Sequence, residues 1–184
     1  LRRLQGETGM ATVLVTHDPT EAALLAGEVL VLVDGRVVQA GAQRTVFAHP
    51  ASPTAAALLG VRNIATGRVV RDGDGTRLHA NGVRVPMDGY RGDLDAAMSS
   101  VSWCIRPEDV RLVDHGGIPS IVRDIVHLGS IDEVTISLAG KGELTLCTPA
   151  EAITSIGAHC QVELPPEAIT VWPTDHVDVE VDGD

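Results

Sequence analysis

Aromatic side chains are nearly missing from this sequence: its 184 residues contain only Phe47, Tyr90, Trp103 and Trp172. A β-rich protein that holds single-stranded nucleic acid needs several exposed rings for bases to stack on, so nucleic acid is not an expected partner. Cations are also short, with 14 Lys and Arg against 25 Asp and Glu, for a formal charge of −11. Nonspecific nucleic-acid binding and polybasic attachment to a membrane surface both require a cationic face, and the balance opposes both. No apolar run approaches the roughly 18 residues that span a bilayer. The first residues lack the basic-then-apolar pattern of a secretory signal, and a cytoplasmic location is expected. Cysteine is limited to Cys104, Cys147 and Cys160, odd in number and without a C-x-x-C pair. Neither a disulfide framework nor a zinc knuckle is supported, and the thiols are expected to be reduced. The histidines at 79, 115, 127, 159 and 176 are too scattered for a ligand set, so no metal site is expected.

What is present divides in two. The opening LRRLQGETG reads as the end of a helix whose beginning is absent, closed by Gly9, so a truncated chain is expected. ATVLVT (Ala11 to Thr16) is a short β-branched apolar run of the kind that forms a strand buried on both faces. It leads to His17. Asp18 stands at an N-cap, Pro19 in the first helical position and Glu21 three residues after the cap, an aspartate version of the capping box. The helix PTEAALLA should stop at Gly27. EVLVLVDGRVVQAG is two apolar runs around Asp34-Gly35 and predicts a hairpin. AQRTVFAHP and SPTAAALLG predict two short helices, with Pro50 and Pro53 each suited to a helix start.

From about Val61 the pattern becomes short strands separated by turn residues: IATGRVVR, DGDG, TRLHA, NG and VRVP. A Gly- and Asp-rich passage from Asp88 to Asp95 leads to SVSWCIRP, then to further strand-like runs as far as AITVWP. Regular short strands of this kind predict a small barrel or sandwich. The acidic end TDHVDVEVDGD is expected to be solvated.

A buried strand passing straight into a capped helix sets His17 where α/β proteins bind ligands, at the C-terminal edge of a parallel sheet. The run TVLVTHDPTEAALLAGEVLVLVDGRVVQAG, continued by AHPASPTAAALLGVRN, resembles the last part of the nucleotide-binding domain of ABC importer ATPases. Agreement runs in order through His17-Asp18, the Glu-Ala helix, the Asp-Gly hairpin, Gln39-x-Gly41, His49-Pro50 and Leu59-Gly60…Asn63. Gly27-Glu28 stands where the family usually has Asp-Arg, and Gln43 where it commonly has proline. The resemblance implies that His17 is the switch histidine, both catalytic and cofactor-binding, reaching the γ-phosphate of ATP and positioning the attacking water, a task that suits an imidazole donor. No G-x-x-x-x-G-K-[ST], LSGGQ-type signature or apolar run ending in Asp-Glu occurs in the sequence. The chain alone is therefore expected neither to bind ATP and Mg2+ tightly nor to hydrolyse ATP, although a full subunit would do both.

SWCIRPEDVRLV, VRDIVHLGSIDEVTISL, ELTLCTP and VELPPEAITVWP resemble TOBE, an OB-like barrel appended to importer ATPases. Arg106-Pro107-Glu108-Asp109 is its most specific element; Pro107 sets a turn, either acid can cap the segment after it, and Arg106 can pair across strands. Gly129-Ser130 reads as a bulge or turn. The fold class expected is an α/β remnant of a P-loop nucleotide-binding domain (1–60) followed by an all-β OB-like TOBE barrel (61–174) and an acidic tail (175–184). The implied role is energy coupling in a bacterial ABC solute importer. Implied partners are a second ATPase subunit forming a homodimer, membrane permease subunits at the inner face of the membrane and, indirectly, a solute-binding protein. Sulfate, molybdate, iron, polyamine, phosphonate and sugar importers all fit. The competing class is a stand-alone small-oxyanion-binding or regulatory β-barrel.

Overall fold

The computed structural model describes residues 7–72, 75–88, 90, 100–138, 141–153 and 155–174. The expected helix over the first six residues, most of the Gly- and Asp-rich passage and the acidic tail lie outside them. The chain divides into two compact units at Gly60/Val61.

In the first unit, residues 7 and 8 are helical and Gly9 follows at φ 66°. After a stretch without regular structure come α1 (Pro19–Leu25), β1 (Glu28–Val33), β2 (Arg36–Ala42), α2 (Gln43–Ala48) and α3 (Pro53–Leu58). Asp34 and Gly35 join β1 to β2 with φ of 49° and 79°, the left-handed pair that a type I′ turn demands. A small core forms from Val31, Val46, Ala55 and Leu59. Ser52 caps α3 by accepting from the Ala55 N–H at 3.1 Å, and Pro53 occupies its first turn.

Three expectations for this unit need correction. Residues 11–16 form no strand, and Val13 and Val15 are 92% and 88% exposed. A strand buried on both faces exists only between flanking strands, and no ladder partner for this run occurs among the described residues; both sheet pairings of a parallel α/β layer are therefore lacking here. Ala26, not Gly27, is the C-cap of α1, with an extended backbone. Pro50 starts no helix: it follows His49, the C-cap of α2.

The second unit consists of β3 (Asn63–Asp72), β4 (Gly75–Ala80), β5 (Val83–Pro86), β6 (Val101–Ile105), β7 (Arg111–Val113), β8 (Ile118–His127), β9 (Ile131–Leu138), β10 (Glu143–Pro149), β11 (His159–Glu163) and β12 (Thr170–Pro173). They form two five-stranded sheets, ordered β10-β9-β8-β11-β7 and β12-β6-β3-β4-β5. Every pairing is antiparallel. Alternation along β9 and β10 turns Val134, Ile136, Leu144 and Leu146 inward, where they meet Leu78, Val101, Trp103 and Ile105 of the other sheet in one core. Asn81 and Gly82, at φ 50° and 77°, make the β4–β5 turn. Gly129, at φ 92°, sits in the β8–β9 turn, so Gly129-Ser130 is a turn; the bulge lies within β8, where the register passes over Arg123.

The difference in core size has a measurable consequence. Amide exchange resolved along the chain is expected to show protection in β6, β8 and β9 exceeding that in β1 and β2 by about tenfold or more, because opening free energy follows the apolar contacts a segment must break. Equal protection in both units would contradict this.

Candidate functional site

The backbone on either side of His17 is held by its neighbours. The Thr16 hydroxyl oxygen accepts from the Asp18 N–H at 3.0 Å, bridging His17 in a hydroxyl turn, and donates to Glu21 Oε2 at 2.7 Å. Asp18 Oδ1 accepts from the Thr20 N–H at 2.7 Å and so caps α1, whose first residue is Pro19. The Asp18 carboxyl is held below its ordinary value of 3.8 chiefly by that backbone bond, so it remains an anion at the positive end of the helix. The reciprocal capping box is not formed: Glu21 takes the Thr16 hydroxyl, and Thr16 has taken the Asp18 N–H that Glu21 would have accepted. Gly60, at φ 85°, packs against Pro19, and a Cβ there would lie 3.2 Å from Pro19 Cγ. His17 stands at the bend, exposed, with no hydrogen-bond partner for its ring among the described residues.

A second set of sequence features is also brought together in this unit. Gln39 Nε2 donates to the His49 carbonyl at 2.8 Å, and Gln39 Oε1 accepts from the Ala51 N–H at 2.9 Å. One amide thus brackets Pro50, which has no N–H of its own, and ties Gln39-x-Gly41 to His49-Pro50.

In the second unit, Pro107–Asp109 form a single 3-10 turn closed by the Asp109 N–H on the Arg106 carbonyl at 3.0 Å. Pro107 is buried, and neither acid caps the turn with its side chain. Burial, then the neighbouring Glu108, pushes the Asp109 carboxyl above its usual value. Cys104, Cys147 and Cys160 are all free, and burial pushes the Cys104 thiol up to about 11, far from a reactive thiolate. Among the described residues no group of three His, Cys, Asp or Glu is placed to hold a metal ion.

One carboxylate that no sequence motif flags is central to this unit. Asp132 is wholly buried; its Oδ1 lies 2.8 Å from His127 Nδ1, and its Oδ2 accepts from the N–H of Glu151 at 3.0 Å. Glu151 has φ 67°, so the carboxylate fixes a left-handed residue after β10 while pairing across β8 and β9. The His127 bond and then the Glu151 N–H hold the Asp132 pKa below 3.8. A depressed carboxyl contributes stability above its unfolded pKa and loses it as pH falls through the folded value. Acid unfolding of this unit, followed by tryptophan emission, is therefore expected to begin below about pH 4. Asp132→Asn should lower stability at neutral pH and flatten that acid limb; an unchanged limb would show that Asp132 does not carry it.

The comparisons with known proteins agree with this division. A family model described as TOBE domain matches residues 103–172. The Fe(3+) ions import ATP-binding protein FbpC of Photobacterium profundum is 29% identical across 95% of this chain and 49% of its own length. The spermidine/putrescine import ATP-binding protein PotA of Ruegeria pomeroyi is 31% identical across 75% of this chain and 38% of its own. The chain carries a TOBE domain and is homologous to ABC importer ATP-binding subunits. It spans about half the length, or less, of these relatives. The TOBE unit is all-β, with the OB-like character expected. A solved structure of the cytoplasmic molybdate-binding protein ModG has 19% identity and a TM-score of 0.48 over 61% of this chain and 96% of ModG. Among the described residues of this ABC-related chain, no helix is long and apolar enough to cross a membrane.

Proposed function

We propose that this chain is the C-terminal part of the energy-coupling ATP-binding subunit of a bacterial ABC importer. In this reading residues 1–60 complete the nucleotide-binding domain, 61–174 form the TOBE barrel and 175–184 an acidic tail. The observation that carries it is that similarity to one import ATP-binding protein extends over 95% of the chain. The His17-bearing unit and the barrel thus share a relative, which a barrel acting alone would not require.

His17 is the residue assigned to the chemistry. The Thr16 turn and the Asp18 cap hold its backbone while leaving the ring exposed, which suits an imidazole N–H that meets a phosphoryl oxygen. The donors of this sequence do not by themselves make an ATP–magnesium site. It has no phosphate-cradling loop with its lysine, and the described residues offer no cluster of carboxylates or imidazoles for a cation. No hydrolytic step is therefore assigned to these residues alone. The partners in this reading are a second ATPase subunit, permease subunits at the cytoplasmic face of the membrane and, through them, a solute-binding protein. The relatives named for iron and for polyamines support uptake as the process without selecting a solute.

The test is the reading frame upstream of Leu1. A continuous frame encoding G-x-x-x-x-G-K-[ST], whose full product hydrolyses ATP while this chain alone does not, is the expected outcome. Nucleotide-specific turnover by this chain alone, or a start codon in place of that frame, would overturn the reading and favour a free-standing barrel.

A further inference from the structure

Strands β3, β4 and β5 of the TOBE unit lie side by side, and their register sets Arg68 opposite His79 and His79 opposite Arg84. Residues directly opposed in an antiparallel sheet share a face, and adjacent strands lie about 4.8 Å apart, so the three side chains form one row on the order of 10 Å long. The other face of these strands carries the buried Leu78, Ala80 and Val85. Like charges placed directly opposite one another destabilise a sheet. Here two guanidiniums bracket an imidazole, in a chain where acids outnumber Lys and Arg by 25 to 14. Among the described residues neither Arg68 nor Arg84 has a hydrogen-bonding or ionic partner, and His79 Nε2 is shielded from solvent without one.

This row lines a concavity of about 450 Å3 to which no carboxylate contributes. Neutral polar groups complete it, from Thr66, Asn81 and Ser100. Close approaches define its shape. A Cβ at Gly67 would lie 3.0 Å from the His79 carbonyl oxygen. A Cβ at Gly82 would lie 2.6 Å from Lys141 Cδ, and one at Gly142 would lie 2.6 Å from Asn81 Cγ. The left-handed Asn81-Gly82 turn and the Lys141-Gly142 turn are therefore pressed together, and the stem of another cation, Lys141, runs along the rim.

We propose that this cavity binds a small organic phosphomonoester, with its phosphate on Arg68, His79 and Arg84 and its uncharged body against Thr66, Asn81 and Ser100. Arginine forks match phosphate oxygens two at a time. A phosphomonoester offers three acceptor oxygens and a charge of about −1.5 to −2 at neutral pH, which answers a row of cations that the protein leaves uncompensated. The volume falls in the range of small-molecule sites, about 300–1,000 Å3, leaving room for an organic body beside the phosphate. The site lies wholly within the TOBE unit and does not depend on the role assigned to His17.

Calorimetric titration of the whole chain with glucose 6-phosphate, glycerol 3-phosphate and AMP tests it, with inorganic phosphate and glucose as parallel probes. Saturable binding of at least one phosphomonoester is expected, weakened about tenfold or more in Arg68→Ala/Arg84→Ala. Arg68→Lys/Arg84→Lys keeps the charge but loses the fork and should fall between the two. Circular dichroism of each variant separates lost binding from lost folding. Absence of saturable binding by all three phosphomonoesters overturns the proposal. So does inorganic phosphate or glucose binding as tightly as the best of them, or affinity unchanged in the folded alanine variant.

Discussion

In the complete import ATPase, His17→Ala is expected to lower ATP turnover by about a hundredfold or more, the usual consequence of removing one preorganised donor from a transferring group, while nucleotide affinity changes by only a few fold. The split follows from the way the residue is held. Thr16 and Asp18 fix the backbone on both sides, and the ring itself packs against nothing that the substitution would collapse. Removing the imidazole should therefore leave the local fold intact and delete one interaction made in the transition state. Binding energy common to ground and transition states would survive, so kcat falls and KM stays. Single-turnover and steady-state ATPase assays on purified wild type and variant give both numbers. Turnover within a factor of three of wild type would remove His17 from the switch role. Equal loss of nucleotide binding would instead make it a ground-state contact.

Local chemistry is legible in the sequence wherever the partner sits within a few residues. Asp34-Gly35 and Asn81-Gly82 announce left-handed turns because few other side chains tolerate those angles, and both turns form. Asp18-Pro19 and Ser52-Pro53 announce helix starts, and both aspartate and serine cap as expected. Spatial context is what a linear pattern lacks. Ala11 to Thr16 has the composition of an interior strand, but a strand's burial is conferred by its neighbours in space, and Val13 and Val15 stand exposed. Glu21 departs from the capping box because a nearer hydroxyl, Thr16, competes for the same cap geometry. Gln39, Asn63 and Asp132 escape notice in the sequence for another reason. Each bonds backbone groups far along the chain, Asn63 to a residue 82 positions away, and a single polar residue carries no periodic signal of such a contact. The row of Arg68, His79 and Arg84 is hidden likewise, since only strand register makes neighbours of residues on three different strands.

Asn63→Leu is expected to destabilise the TOBE unit by on the order of 3 kcal/mol, because two backbone groups lose their partners at once. β10 is the edge of its sheet, and alternate residues along it turn their N–H and C=O away from β9. At Thr145 those groups meet a side chain that imitates a strand: the Thr145 N–H donates to Asn63 Oδ1 at 2.8 Å, and Asn63 Nδ2 donates to the Thr145 carbonyl at 2.7 Å. Asn63 itself is 5% exposed and begins β3 of the other sheet, so the pair closes a seam between the two sheets. Leucine matches asparagine closely in shape but leaves the Thr145 groups without partners in a place where water has poor access. Asparagine to aspartate is the sharper control: it keeps the acceptor for the Thr145 N–H but brings a carboxylate oxygen against the Thr145 carbonyl, so it should be at least as damaging as leucine near neutral pH. Urea denaturation monitored through Trp103 and Trp172, both in this unit, reads the loss as a lower midpoint at an unchanged slope. A shift below about 0.5 kcal/mol would mean that the seam is closed by apolar packing alone, with the Asn63 bonds contributing geometry but no net stability.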